Sequence, residues 1–186
     1  MQLTRPYASV RKELARTGLG PASSISGAVR AKIEPASRDD VLAVALAMRE
    51  RDYQELSATT TVNSRAELAH VLAARYGDRS DVLVGRANGA PVCIGGTIAP
   101  WPGVISLLFF ATPEFPKIGL TITRWISKDL FPRYFDAGVH RIQATSLDGY
   151  DEVHRWLGAL GLKREAVLPA FGRNGEDFVQ FAKVKR

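Results

Sequence analysis

The chain has 186 residues, 46% hydrophobic and 24% charged, with a net charge of +6. That balance suits one globular domain with its own core. It excludes an intramolecular disulfide, because Cys93 is the only cysteine. His70, His140 and His154 share no metal-ligand spacing with Cys93 or with one another, so no metal site is expected. The longest nearly unbroken apolar run, Val104 to Ala111, is far shorter than the roughly 20 residues a bilayer demands. No apolar signal segment is read at the N-terminus.

In chain order, residues 1–30 read as a basic arm and linker, and residues 31–186 as the domain. Arg5, Arg11, Lys12, Arg16 and Arg30 face only Glu13, so the arm carries most of the net charge. One short helix is predicted within "YASVRKELARTG", followed by the linker "GLGPASSISGA". The arm reads either as a solvated tail or as a dock for an acidic partner or nucleic acid. It carries no DNA- or RNA-binding signature.

From residue 31 the pattern becomes regular. "AKIEPA" is β-like. "SRDDVLAVALAMRERDYQEL" predicts one helix with Ser37 as N-cap and Asp39 and Asp40 in its first turn. "NSRAELAHVLAARYG" predicts a second, capped by Asn63 or Ser64 and ending at Gly77. Two β runs flank Ala87-Asn88-Gly89-Ala90, a hairpin signal. Cys93 falls in the second and reads as a small core residue. "GVISLLFFAT" predicts a central strand, and "IGLTITRWISKDLFPRYFDAG" a helix with Pro132 late in it. A strand over "HRIQATSL", a helix over "DGYDEVHRWLGALG" and two strands around Gly172-Arg173-Asn174-Gly175 complete the order. The sum is an α/β (α+β) domain, a mixed sheet of about six or seven strands flanked by about four helices.

This order, with "NGAPVCIGGT", "ATPEFPKIGL" and "GALGLKRE", resembles the GNAT superfamily of N-acetyltransferases over about residues 31 to 184. A narrower resemblance sits in "LAMRERDYQEL". Met48, Arg49, Asp52, Glu55 and Leu56 are similar to a helix in GNAT-like virion-assembly proteins of T7-like podophages. By residue type alone, Arg49, Asp52 and Glu55 also fit a solvated helix face with i, i+3 pairs.

The resemblance implies an acyl-CoA loop at residues 111–119, with Ala111, Lys117, Ile118 and Gly119 as the cofactor-binding positions if CoA binds. The loop departs from the family pattern. It is about two residues short, keeps one glycine, and Pro116 removes an N–H donor. The family's catalytic tyrosine falls on Leu157, which has no proton to give, and its asparagine on Tyr150. A base could come from Glu34, Asp52 or Glu55, and none is singled out, so no catalytic residue is assigned.

Two departures in one site favour a non-catalytic GNAT-fold virion or tail accessory protein, made in the host cytoplasm and present in multiple copies. Its expected partner is a portal-adaptor ring or neighbouring subunit, bound through Arg5, Arg11, Lys12 and Arg16 with Trp101 and Phe171. No membrane is implicated. Nucleic acid through the arm is a further possibility. The alternative is an N-acetyltransferase using acetyl-CoA, and otherwise no cofactor is expected.

Overall fold

The computed structural model describes residues 29–185. The arm residues Arg5, Arg11, Lys12 and Arg16 lie outside them. Seven strands form one sheet in the order β1-β2-β3-β4-β5-β7-β6. They are β1 (Ala31–Pro35), β2 (Val82–Ala87), β3 (Ala90–Trp101), β4 (Val104–Ala111), β5 (Arg141–Leu147), β6 (Lys163–Leu168) and β7 (Phe178–Val184). Every neighbouring pair is antiparallel except β4 and β5, which are parallel.

The turn chemistry explains the first half of the sheet. Asn88 and Gly89 both take positive φ, 51° and 89°, as the tight β2–β3 hairpin requires. Antiparallel strands accept such a turn, whereas parallel β4 and β5 need a helical crossover. That crossover is α4 (Pro116–Trp125), a π-helical turn (Ile126–Leu130) and α5 (Phe131–Asp136). Pro132 does not break it, because the proline falls in the first turn of α5, where its missing N–H matters least.

One helix was expected over residues 37–56, and there are two: α1 (Arg38–Leu46) and α2 (Glu50–Ser57). Ser37 caps α1 in a full capping box with Asp40. Apolar spacing continues through Met48, so periodicity alone conceals the break. Arg49 turns extended (φ −54°, ψ 149°), and the carbonyl of Met48 is capped by Arg65 Nη1 at 2.6 Å. The next helix, α3 (Arg65–Tyr76), is capped by Ser64, and α6 (Asp151–Ala159) follows β5.

The core has two sides. Helices α1 and α3 cover one sheet face through Val41, Val44, Leu68, Ile94 and Phe110. The other face is covered by α4 to α6, with Ile105, Phe131, Ile142, Leu160 and Ile118. Strand β4 is central and covered on both faces, as its nearly unbroken apolar run requires. Cys93 lies in this core, where burial pushes its thiol up to about 12, so it behaves as an inert small residue. No helix among the described residues is long and apolar enough to cross a membrane. Phe110 is fully buried, so Phe110→Ala should lower the unfolding free energy by about 3–5 kcal/mol, measured by urea titration.

Candidate functional site

Parallel neighbours β4 and β5 pair over only three residues, Val104 to Ser106 against Arg141 to Gln143. Beyond Ser106 no ladder joins them, and a cleft opens at their carboxyl ends. Crevices at the carboxyl ends of parallel strands are where α/β sheets bind ligands. A cavity of about 100 Å³ runs into this cleft, touching Leu107 and Phe109 on one strand and Ala144 to Ser146 on the other.

Helix α2 bridges the gap. Asp52 Oδ2 accepts the N–H of Ala111 at 2.8 Å, at the end of β4. One turn later, Glu55 Oε2 accepts the N–H of Leu147 at 2.8 Å and the hydroxyl of Ser146 at 2.6 Å, at the end of β5. The Arg49 N–H donates to the carbonyl of Ala111 at 2.9 Å. Its guanidinium grips both oxygens of Asp52, at 3.0 and 3.1 Å, and reaches Glu152 on α6 at 3.0 Å. Tyr150 completes the set by donating its hydroxyl to Asp52 Oδ1 at 2.7 Å.

Arg49, Asp52 and Glu55 are therefore no solvated helix face. Asp52 is 4% exposed, and a buried carboxylate persists only when paired and hydrogen-bonded as this one is. Burial pushes the Glu55 carboxyl up to about 7, overcoming its bonds from Ser146 and Leu147, while Asp52 raises it further and Arg49 opposes. Burial first, then Asp52, push the Tyr150 hydroxyl up as well, so it stays protonated.

The loop and helix after β4 are closed upon themselves. The N–H of Glu114 donates to Thr112 Oγ1 at 3.3 Å, and that of Phe115 to the carbonyl of Thr112 at 3.1 Å. Lys117 and Ile118 give theirs to the carbonyls of Glu114 and Phe115, at 3.1 and 3.0 Å. Pro116 has none. The donors that a pyrophosphate would use at a helix start are thus internally satisfied. The Lys117 ammonium is paired with Glu114. Ile118 is buried in the core, and Gly119 packs beneath the Phe115 ring.

Aromatic rings cross the cleft nearby. Trp156 of α6 lies 4.5 Å from Phe109 and 5.9 Å from Phe115, and its Nε1 donates to Thr123 of α4 at 2.8 Å. Leu157, at the family's tyrosine position, is buried, and Tyr150 at the asparagine position serves Asp52 instead. Glu34 lies away from the cleft, paired with Lys32 and Arg86. Trp101 and Phe171 are 57% and 51% exposed and do not line the cavity; Phe171 packs on Phe178, the strand partner of Leu147. The described residues contain no cluster able to hold a metal ion.

Solved structures share this fold. A GNAT-family acetyltransferase from Bacillus anthracis superposes with a TM-score of 0.63 at 16% identity, covering 84% of this chain and 96% of that one. RimJ from Mycobacterium smegmatis, solved with CoA-disulfide, gives 0.62 at 15% identity and 90% and 87% coverage. Ribosomal-protein-S5-alanine acetyltransferase from Vibrio fischeri gives 0.61 at 14% identity and 89% and 96% coverage. The fold is that of the GNAT acetyltransferases. No protein-family model and no curated protein matches the sequence.

What sequence reasoning missed in this GNAT fold is the joint role of the α2 carboxylates and the strap made by Trp156. The one available signal was the i, i+3 spacing of Arg49, Asp52 and Glu55 beside apolar Met48 and Leu56. Asp52→Ala leaves the Ala111 N–H and the Tyr150 hydroxyl without a partner and Arg49 with Glu152 alone. It should cost about 3–5 kcal/mol of unfolding free energy in urea titrations. Glu55, raised from about 4.5 to about 7, binds its proton more tightly when folded. Its contribution is therefore full below pH 4.5 and lost as pH rises through about 7. Between pH 5 and 8 the wild type should lose stability, and Glu55→Gln should flatten that slope in thermal melts.

Proposed function

We propose that this chain is an acyl-thioester-dependent N-acyltransferase working in the β4–β5 cleft. The observation that carries the reading is Glu55: a carboxyl near 7 on the wall of a cavity at the carboxyl ends of two diverging strands. The fold shared with acetyltransferases supports it. So does a similar protein solved with CoA-disulfide.

In this reading Glu55 takes a proton from the acceptor ammonium. The freed amine attacks the thioester carbonyl, the C–N bond forms and the C–S bond breaks. The attacking nitrogen sheds its second proton, which passes through water to the departing thiolate, because Leu157 supplies none. The closed α4 start adds no grip on a pyrophosphate, so the donor is held by its thioester arm and binds weakly.

The test is thiol release from acetyl-CoA with a panel of amines. The rate should rise with pH through about 7, and Glu55→Gln should cut it by about 10²–10⁴-fold. No acetyl-CoA binding by calorimetry at millimolar concentration would overturn the reading.

One observation favours a second reading. The N–H groups of Glu114 to Ile118, where present, and the Lys117 side chain are all engaged by the protein itself. A GNAT fold so closed would serve as a non-catalytic unit; its assignment to a virion or tail rests on the resemblance carried by residues 46–56 alone. Residues Arg5, Arg11, Lys12 and Arg16, with Trp101 and Phe171, would contact the neighbouring subunit. Deleting residues 1–30 should then abolish particle association, and a truncated chain that still assembles counts against it.

A further inference from the structure

The cavity reaches past the cleft and beneath the crossover helix. Its floor there is Gly95 of β3, on the sheet face that α4 covers. A side chain at Gly95 would meet only the Phe109 ring, at 3.8 Å, so the missing side chain leaves space. Leu107 and Phe109 continue the floor, and Trp125, Ile126 and Tyr134 form the roof. The roof includes the π-helical turn, a feature common at functional sites.

This end of the cavity is mostly apolar, and its polar side chains are engaged: the buried Asp81 carboxylate is paired with Arg79. The Thr97 and Tyr134 hydroxyls satisfy one another at 3.0 Å. Among the described residues no buried side-chain polar atom lacks a hydrogen-bond partner. Water needs two to four polar partners, so the space suits an apolar occupant. The other end meets Glu55 and Ser146. An occupant fitting both ends is an aliphatic chain with a reactive polar head.

We propose that this pocket beneath the π-helical turn holds an aliphatic chain of about four carbons as the donor's acyl group. An apolar cavity of about 150 Å³ accepts benzene, with six carbons, so about 100 Å³ accommodates about four. The acyl assignment rests on the acyltransferase reading, while the pocket itself does not. The preferred acyl group is then larger than acetyl, and Gly95 sets its length.

The experiment has two arms. In the first, xenon is titrated into the full chain and followed by amide NMR. Shifts should centre on Gly95, Leu107 and Phe109, and Gly95→Val should abolish them. Gly95→Ala, whose added carbon makes ordinary contact, should give an intermediate response if the valine variant does not fold. An unchanged spectrum in the wild type overturns the pocket.

In the second arm, acetyl-CoA and butyryl-CoA are compared by calorimetry. Two more buried methylenes should favour butyryl-CoA by about tenfold. Gly95→Val should erase that preference while acetyl-CoA binding persists. Equal or tighter binding of acetyl-CoA overturns the length assignment and leaves the acyltransferase reading standing. Xenon binding without affinity for either thioester overturns the acyl assignment together with that reading.

Discussion

The structure depends on two carboxylates, one helical turn apart, reaching the ends of two strands that do not touch. Asp52 holds the N–H of Ala111 and Glu55 holds that of Leu147. Where β4 and β5 part, their backbone donors lose the ladder that would satisfy them. A buried N–H without a partner costs about 1–3 kcal/mol. Helix α2 supplies partners for the N–H groups of Ala111 and Leu147, and so the two strand ends stay apart with those donors satisfied.

This brace makes demands elsewhere. It requires the chain to break between α1 and α2, so that Arg49 can turn its own N–H toward Ala111 while its side chain neutralises Asp52. It also places Tyr150, from the turn after β5, against the same carboxylate. Asp52, gripped by Arg49, Ala111 and Tyr150, acts as an anchor. Glu55 keeps one oxygen clear of the bonds to Ser146 and Leu147, and its carboxyl lies near 7. That difference in hydrogen bonding makes Asp52 the structural anchor and Glu55 the carboxyl able to exchange a proton.

Much of the fold was legible because local and tertiary preferences agree. The Asn88-Gly89 turn, the Ser37 and Ser64 caps and the apolar run of β4 each mean one thing in sequence and in space. The α1–α2 break was not legible, because its cause is a bond to Ala111, about 60 residues away. The closure of the loop at residues 112–118 was half legible. Pro116 and the missing glycines are in the sequence, but the pairing of Lys117 with Glu114 is not. Arg49, Asp52 and Glu55 stood out as a pattern with two readings, and only burial decides between them.

The most direct test of this account is a carboxyl-carbon NMR titration of Glu55 in the full chain, with the Leu147 amide followed in the same samples. The account predicts that both signals move together with a midpoint near pH 7, because one buried carboxyl holds one strand end. A Glu55 midpoint near 4.5 with a Leu147 amide that does not follow it would contradict the brace and the base assignment together.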